Sequence, residues 1–452
     1  MKHAPITRDR PNVLVFFTDQ QRWDCSALHG NPLDLMPNFD RMALRGTHFF
    51  NSFTNHPVCG PARSAMQTGR YGTTTGCFRN GIPLTSSERT LAHHFTGAGY
   101  KTGYIGKWHL GSRDPVPAAE RGGYQYWLAA NMLEFTSDAY RCDVFDGDER
   151  AVRLPGYRSD AITDAAIRYI DDHRHEPFFL FLSYIEPHHQ NHLDDYPPPD
   201  GYRERYTGRW IPPDLAALGG STHQHIAGYY GMVKRLDEGF GRLIDALKSL
   251  ELLDSTIVLH TSDHGNHFKT RNSEYKRSCH ESSIRVPTAV QGPHFDGGRI
   301  TELVSIIDLP PTLLDAVGIP PPPEMEGHSL LPLIRRERGI EPPDEVFIQI
   351  SESQVGRALR TQRWKYSVAA PGLDGYREPG AEHYVEEFLY DLEFDPYELS
   401  NLVGFESHRD VANLLRERLL QRMVALGEPP PRIDNAPNVP SGDRKVDIAA
   451  TS

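Results

Sequence analysis

Long apolar runs are missing from this sequence of 452 residues. The most apolar stretches, Val13 to Phe17 and Phe178 to Leu182, are far shorter than the roughly 18 consecutive apolar residues of a membrane-spanning helix. The start, Met1 to Arg10, is polar and has no apolar segment followed by a small-residue cleavage site. We therefore expect a soluble protein in the cytoplasm, or in the periplasm or outside the cell if a secretory signal has been removed.

Cysteine is also scarce, and acidic residues outnumber basic ones. The five cysteines are few and odd in number: Cys25, Cys59, Cys77, Cys142 and Cys279. Because no two of them form a CxxC pair, neither a disulfide framework nor a thiolate zinc site is expected. The formal net charge of -12 disfavours a nucleic acid or an anionic membrane as the general partner. An anionic substrate would need a locally basic pocket.

Short apolar runs alternate with amphipathic stretches through the first three quarters of the chain, which is typical of parallel strands buried between helices. The predicted core strands are Asn12 to Thr18, Thr102 to Ile105, Phe178 to Tyr184 and Thr256 to Thr261. The predicted helices are Pro37 to Arg45, Arg89 to Thr96, Ser159 to His173, His223 to Leu250 and Leu309 to Val317. The pattern predicts an α/β fold with a large, mostly parallel sheet between helices.

A Pro-rich stretch, Pro320 to Pro323, and a charged run, Arg335 to Glu341, precede a shorter segment rich in strands. The elements predicted there are the strands Val346 to Ile350, Trp364 to Val368 and Phe388 to Asp391 and a last helix near Arg409 to Leu426. We predict a large α/β domain over residues 1–340 and a smaller α+β domain with an antiparallel sheet over residues 341–452. The Pro-rich tail, Glu428 to Pro440, is expected to be irregular or to wrap the surface.

Polar clusters stand directly after three of the predicted strands. They are Asp19-Gln20, Glu186-Pro187-His188 and Ser262-Asp263-His264. In open parallel sheets, ligands bind beyond the carboxyl ends of the strands, so these clusters are expected to converge on one edge. Carboxylate and amide oxygens suit a hard divalent cation, although each pair alone could also be a cap or a turn.

A further segment, Cys59-Gly60-Pro61-Ala62-Arg63, is followed shortly by Thr68-Gly69-Arg70. Proline is favoured in the first turn of a helix, so the pattern predicts a helix that begins near Pro61 with Cys59 at its positive end. That position lowers the pKa of a thiol and favours an anion nearby. A nucleophilic cysteine and a buried structural cysteine explain the isolated pattern about equally well.

The C-x-P-x-R pattern with the trailing T-G-R resembles the signature of the formylglycine-dependent sulfatases, in the alkaline-phosphatase-like superfamily. In that family the cysteine is oxidised to formylglycine after translation, and Cys59 matches the modified position. Gly60 and Ala62 depart from the small polar residues common there, and Gln67 departs from an aliphatic residue.

Other family elements follow in the expected order. They are Gly106-Lys107-Trp108-His109-Leu110-Gly111, Pro187-His188, and Lys276 with Glu281 ahead of Arg285-Val286-Pro287. The resemblance implies a divalent cation held by Asp19, Gln20, Asp263 and His264 together with the modified Cys59. The expected cation is Ca²⁺, and the same ligands would accept Mg²⁺ or Mn²⁺.

The resemblance also implies roles in a two-step hydrolysis. One hydroxyl of the hydrated aldehyde at position 59 attacks sulfur and gives a covalent sulfo-enzyme intermediate, and sulfate then leaves by elimination. Arg63 would orient the formylglycine, and Lys107 would bridge it and the sulfate. His188 or Lys276 would protonate the departing alcohol, and His109 would take the proton of the second hydroxyl.

Substrate-binding candidates are less clearly marked. Asn80 lies near the position of the family's substrate-facing asparagine, but Asn80-Gly81 is also a turn signal. A His-rich rim, with solvated loop residues as the alternative interpretation, includes His189, Asn191, His192, Arg271 and His280.

The predicted function is hydrolysis of a sulfate ester, and a carbohydrate is the expected substrate because the His-rich region suits hydroxyl groups. Two alternatives remain: a phosphonate monoester or phosphodiester hydrolase of the same superfamily, and a non-catalytic sulfoglycan-binding protein with unmodified Cys59. The partners implied are a sulfated small molecule or saccharide, a formylglycine-generating enzyme and a second copy of the chain in a homo-oligomer.

Overall fold

The structure is a computed structural model that describes residues 10–442 and residue 446. Apart from Arg10, the polar start of the chain lies outside the described residues. Across the described ranges, no helix combines the length and the apolar character needed to cross a bilayer.

The strands form two sheets. In chain order they are β1 (Asn12–Thr18), β2 (Thr47–Phe53), β3 (Lys101–Lys107), β4 (Tyr126–Ala130), β5 (Cys142–Asp146), β6 (Ala151–Leu154), β7 (Phe178–Ser183), β8 (Thr256–Ser262), β9 (Ala289–Gln291), β10 (Gly298–Ser305), β11 (Glu345–Ile350), β12 (Gly356–Thr361), β13 (Trp364–Ala369), β14 (His383–Asp391) and β15 (Arg432–Asp434).

The α-helices lie mainly between the strands of the first sheet. In chain order they are α1 (Pro37–Arg45), α2 (Cys59–Thr68), α3 (Gly72–Thr75), α4 (Leu91–Gly97), α5 (Leu133–Thr136), α6 (Arg158–Asp172), α7 (Tyr202–Tyr206), α8 (Pro213–Ala217), α9 (Thr222–Ser249), α10 (Glu281–Ile284), α11 (Leu309–Ala316), α12 (Leu331–Ile334) and α13 (Arg409–Ala425).

The first sheet has the strand order β10-β2-β9-β8-β1-β7-β3-β4-β5-β6. Its centre, from β8 through β1, β7 and β3 to β4, is parallel. Strands β5, β6 and β9 run antiparallel to their neighbours. The predicted mostly parallel α/β sheet is therefore confirmed in its core.

Strand β1 explains the layered packing, since successive side chains point to opposite faces of a sheet. Leu14 and Phe16 belong to the apolar cluster that contains residues of α1, α6 and α9. Val13, Val15 and Phe17 belong to a second cluster with residues of α2, α4 and α11. Every residue of β1 is buried, because both faces of the sheet are covered by helices.

The second sheet has the order β11-β12-β13-β14-β15, and its first four strands are antiparallel. Helix α13 packs on it through Leu415 and Leu419. Strand β15 lies within the Pro-rich tail and pairs in parallel with β14, so this part of the tail is ordered sheet and not irregular. The boundary between residues 340 and 341 stays a prediction.

The register of the central strands brings the predicted clusters together. Thr18, the last residue of β1, pairs with Ser262, the last residue of β8. Phe17 of β1 pairs with Ser183 at the end of β7. The residues that follow these three strands therefore emerge side by side at one edge of the sheet.

Candidate active site

Four side chains converge where β1, β8 and α2 meet. Asp19, Cys59, Asp263 and His264 each offer one ligand atom, and these atoms all lie within 4.8 Å of one another. All four side chains are buried. The ring Nδ1 of His264 donates to the carbonyl of Gly265 at 2.9 Å. The other ring nitrogen, Nε2, therefore turns its lone pair toward the cluster.

Gln20 completes the donor set. Its backbone has a positive φ of 67°, and its N–H donates to Oδ1 of Asp263 at 3.0 Å. Its side-chain Nε2 donates to the hydroxyl of Tyr196 at 3.1 Å, while its buried Oε1 has no hydrogen-bond partner among the described residues. A buried oxygen without a partner is costly, so the residues fit a hard divalent cation that Gln20 would also bind.

The electrostatics of the two carboxylates support the same interpretation. Burial and the neighbouring Asp19 raise the pKa of Asp263 to about 7. Burial and Cys59 would also raise the pKa of Asp19, but Lys107, His188 and Arg63 hold it well below its usual range. A divalent cation between the two groups would offset their mutual repulsion.

Cys59 begins helix α2, two residues earlier than the predicted start at Pro61. Burial would raise the pKa of its thiol, but Lys107, Lys276, His264 and His109 lower it well below the usual value. Residue 59 therefore sits at a helix N-terminus among cationic groups, where an anionic oxygen or sulfur is stabilised.

Two buried cations flank the Asp19 carboxylate on one side. Arg63 Nη2 lies 2.8 Å from Asp19 Oδ2 and 3.3 Å from Asp263 Oδ2. Lys107 Nζ lies 2.9 Å from the same Asp19 oxygen. Gly106 leads into Lys107 with a φ of 111°, and a Cβ there would lie 1.8 Å from the carbonyl oxygen of Ser183. Only glycine allows β3 to deliver Lys107 to this point.

Three further predicted residues contact residue 59. Lys276 Nζ lies 2.8 Å from Cys59 Sγ and 3.0 Å from Nε2 of His264. His109 and His188 lie close enough to Cys59 to interact with its side chain, and both ring nitrogens of His109 are buried without a hydrogen-bond partner among the described residues. His188 donates from Nδ1 to the carbonyl of His189 at 2.7 Å, so its Nε2 is the atom free for proton transfer.

Glu134 is a site residue that the sequence did not reveal. Its Oε1 lies 3.1 Å from Lys107 Nζ and 4.0 Å from His109 Nδ1, and it is almost completely buried. It stands on the short helix α5 after β4, where no sequence motif marks it. A glutamate after a strand at the ligand-binding edge of the sheet was the available signal.

The candidate substrate residues occupy different places. Asn80 accepts the N–H of Gly60 through Oδ1 at 2.8 Å, so it lies beside the nucleophile position. His189 stacks on His188 with ring centroids 4.3 Å apart. His192 and Asn191 are exposed, and His192 Nε2 lies 3.3 Å from Asp138. Their substrate roles stay predictions.

Arg271 and His280 contact the C-terminal part of the chain. Arg271 donates to the carbonyl groups of Tyr397 and Glu398 at 2.7 and 2.8 Å. His280 is buried, and its two ring nitrogens are bonded to Ser278 and to the hydroxyl of Tyr390. Both side chains are therefore bonded to other parts of the protein. The geometry gives no further support to the predicted role of Arg271 and His280 at a substrate rim.

Curated proteins similar to this chain include several sulfatases. An ulvan-active sulfatase of Formosa agariphila is 28% identical over 93% of this chain and 82% of its own length. A choline-sulfatase of Rhizobium meliloti is 28% identical over 88% and 83% of the two chains. An N-acetylglucosamine-6-O-sulfatase of Bacteroides thetaiotaomicron is 24% identical over 90% and 86%.

Solved structures show the same fold. The yidJ protein of Bacteroides fragilis superposes with a TM-score of 0.81 at 24% identity, over 95% of this chain and 98% of that chain. A phosphonate monoester hydrolase of Agrobacterium radiobacter superposes with a TM-score of 0.71 at 21% identity, over 92% and 96%. At this identity the likeness concerns the fold and does not separate the two activities.

Two family models match the chain. The C-terminal model of N-sulphoglucosamine sulphohydrolase matches residues 273–425. The sulfatase model matches residues 11–319, which include every predicted metal ligand and Lys276. A match over this much of the chain shows that it belongs to the sulfatase family, the enzymes that hydrolyse sulfuric esters.

Proposed function

We propose that this sulfatase hydrolyses a sulfate ester of a carbohydrate, with a formylglycine made from Cys59 as its nucleophile and Ca²⁺ as its metal. The observation that carries the proposal is the convergence of Asp19, Cys59, Asp263 and His264 within 4.8 Å. These residues stand far apart in the sequence, and they meet beside the buried cationic groups of Lys107 and Lys276, which suit an anionic ester.

Asp19, Gln20, Asp263 and His264 would hold the cation, together with the oxidised residue 59. When bound, the cation neutralises charge on the ester oxygens and acts as a Lewis acid. The hard oxygen donors of Asp19, Gln20 and Asp263 suit Ca²⁺, and they leave Mg²⁺ and Mn²⁺ as alternatives.

The protein's own cations do the remaining electrostatic work. Lys107 and Lys276 stand on two sides of residue 59 and would stabilise the negative charge that shifts onto the sulfate oxygens and the leaving oxygen. Arg63, held by both Asp19 and Asp263, fixes the orientation of those carboxylates. Because these groups are buried and already paired, they need little reorganisation during the reaction.

Proton transfer falls to the groups that contact residue 59. His188 or Lys276 would protonate the departing alcohol, and His109 would take a proton from the hydroxyl that remains on residue 59. Glu134 lies beside both His109 and Lys107, where its carboxylate would help to hold the two side chains in place.

The carbohydrate substrate is supported by the relatives. The family model that matches residues 273–425 is that of N-sulphoglucosamine sulphohydrolase, and one similar protein is named an N-acetylglucosamine-6-O-sulfatase. Near the site, the ring of His189 stacks on that of His188 and lies tilted against that of Tyr275, with 4.5 Å between the ring centroids of His189 and Tyr275. Such rings suit a sugar, because they offer both a face and hydrogen-bonding groups.

The proposal includes a formylglycine-generating enzyme as the maturation partner. A cytoplasmic location and a homo-oligomer are further expectations that stay predictions.

The test is a substrate comparison. The chain is produced in cells that contain a formylglycine-generating enzyme, and sulfate release is measured with sulfated glucosamines, choline sulfate and 4-nitrophenyl sulfate. A phosphonate monoester and a phosphate diester are assayed in parallel. A higher kcat/KM for a sulfated sugar than for all other esters is expected, and preference for a phosphorus ester would refute the proposal.

Mass spectrometry of the tryptic peptide Gly46 to Arg63 decides the chemistry of residue 59. An aldehyde or its hydrate is expected at Cys59. A wholly unmodified thiol in active protein would refute the formylglycine, and an unmodified thiol in an inactive protein that binds sulfated sugars would indicate a binding protein.

A further inference from the structure

The hairpin between β11 and β12 reaches the active site from the second sheet. Ser351 Oγ lies 2.8 Å from Nε2 of His56, three residues before Cys59. Ser353 Oγ donates to the carbonyl of Arg277, the neighbour of Lys276, at 2.7 Å. The segments before residue 59 and after residue 276 are thus held by one loop that belongs to a different sheet.

Glu352, between these serines, makes the central contacts of the hairpin. Its Oε1 accepts the backbone N–H of Asn80 at 2.7 Å. Its Oε2 forms an ion pair with the guanidinium of Arg277. The Glu352 side chain is 0% exposed and that of Arg277 is 13% exposed, so water screens the pair only weakly.

Each partner of Glu352 is linked to the region of residue 59 by one further contact. Asn80 accepts the N–H of Gly60 through its side chain at 2.8 Å, which places it at the first turn of α2. A Cβ on Gly60 would lie 3.1 Å from that Asn80 oxygen, so this contact is close. On the other side, Lys276 Nζ lies 2.8 Å from Cys59 Sγ.

The backbone at both ends of the ion pair is constrained. Glu352 has a φ of 66° and Arg277 a φ of 68°, a region that residues with a side chain seldom adopt. The N–H of Glu352 donates to the carbonyl of Gly375 at 3.0 Å, and a Cβ on Gly375 would lie 2.8 Å from that same nitrogen. Such conformations persist where surrounding contacts hold them, and they cluster at functional sites.

We propose that Glu352 is a positioning residue of the active site, through which the second sheet fixes Asn80 and Lys276 around residue 59. The assignment rests on the proposed function, because it concerns how these two residues meet the ester. It also gives the C-terminal domain a part in catalysis beyond packing.

The first test is the variant Glu352→Gln, with Glu326→Gln as its matched control. Glu326 also accepts a backbone N–H, that of Tyr71 at 2.7 Å, and the hydroxyl of Thr74 at 2.9 Å. In the part of the chain that the structure describes, neither Tyr71 nor Thr74 is hydrogen-bonded to the Cys59 side chain. Since small displacements of positioned groups cost up to about 100-fold, we expect E352Q to lose at least about tenfold in kcat. E326Q should keep the wild-type kcat.

The second test is a double-mutant cycle with Arg277→Met, which removes the same ion pair from the other side. If the two residues act through each other, the double variant should lose no more activity than the worse single variant. R277M also serves alone if E352Q does not fold, and it too should lose at least about tenfold in kcat. Thermal unfolding of every variant is recorded, since a purely structural role would lower stability without lowering kcat.

Additive losses in the cycle, or a kcat of E352Q equal to that of E326Q, would overturn the assignment. Failure of the proposed function has a different signature, because the wild type would then cleave no sulfated sugar. In that case the cycle is measured with whichever ester in the panel the wild type cleaves.

Discussion

The ammonium group of Lys107 lies 2.9 Å from Oδ2 of Asp19, and neither side chain has any exposure to solvent. On its other side, Lys107 meets the Glu134 carboxylate at 3.1 Å. One lysine is therefore shared between a predicted metal ligand and the carboxylate beside His109. This relationship makes Lys107 the most informative residue to change first.

Lys107→Met keeps the bulk of the side chain and removes its charge. We expect kcat to fall by about 100- to 1,000-fold, because a preorganised charge at the sulfate is lost. The free energy of unfolding should also fall by about 3 kcal/mol, since two buried carboxylates lose their partner. Steady-state kinetics and urea unfolding measure the two effects.

Lys365→Met is the control for K107M. Lys365 is equally buried and pairs with Glu281 and Glu398, and among the described residues none of its ion pairs involves residue 59. It should lose stability and keep kcat, and a K107M variant as active as K365M would contradict the assigned role.

Binding of the metal ion should increase the stability of the folded protein. Bound metal is first removed with a chelator, and Ca²⁺ is then added back. At 100 times its Kd, Ca²⁺ should stabilise the folded chain by about 2.7 kcal/mol, because the ion binds only the folded state. The expected observation is a higher midpoint of thermal unfolding as Ca²⁺ is added back. Asp263→Asn should abolish this response, and an unchanged response in D263N would place the ion elsewhere.

Cys59→Ser should separate the two steps of the reaction. The introduced hydroxyl can attack sulfur and release the alcohol, but it leaves no second hydroxyl to expel the sulfate. We expect at most one alcohol released per chain and, by mass spectrometry, a peptide that carries sulfate at position 59. Cys59→Ala should give neither product, and continued turnover by C59S would refute the elimination step.

Glu134→Gln should slow the reaction while the protein stays folded. The amide keeps the size of the side chain but removes the negative charge beside Lys107 and His109. Because that charge positions both groups, kcat should fall by about tenfold. KM should change little, because Glu134 lies behind Lys107 and His109. Wild-type kcat in E134Q would show that this carboxylate only balances the charge of Lys107.

Acid should destabilise the fold through its buried histidines. Burial lowers the pKa of His260 to about 3, among the rings of Phe16, Phe39 and Phe240. Burial likewise lowers the pKa of His56 to about 3. Unfolded histidines bind a proton near pH 6.5, so each group contributes its stability in full above that pH and loses it as the pH falls toward about 3.

The variant His260→Leu removes one of these groups. When the pH is lowered from 7 to 5, the free energy of unfolding of this variant should fall by about 2 kcal/mol less than that of the wild type. Urea unfolding at the two pH values measures this difference. His175→Leu, at an exposed position, is the control and should follow the wild type.

The sequence predicted the parts of the site that local patterns determine. Strand β1 was predicted at its observed bounds, and Asp19 and Asp263 follow buried strands that pair in register. The strands that were not predicted are mostly short, partly exposed or antiparallel, and their sequence pattern is weak. They are β2, β4, β5, β6, β9, β10, β12 and β15.

Glu134 and Glu352 were missed for a different reason. Each acts through contacts with residues distant in the sequence, and neither stands in a recognisable motif. Glu352 reaches Asn80 across 272 positions of the chain, so only the packing of the second sheet against the first brings them together. Arg271 and His280 show the converse case, since their place near Lys276 in the sequence gave no hint that they contact Tyr397, Glu398 and Tyr390.

The burial of Cys59, which is 1% exposed, also sets an order of events during biosynthesis. A modifying enzyme has to bind the segment around this residue, and the folded chain does not expose that segment. The proposed oxidation of Cys59 therefore has to take place before the segment folds, ahead of its enclosure by residues 263, 264 and 276, which are synthesised about 200 positions later. Under the proposed mechanism, a chain that folds first would keep its thiol and would not turn over.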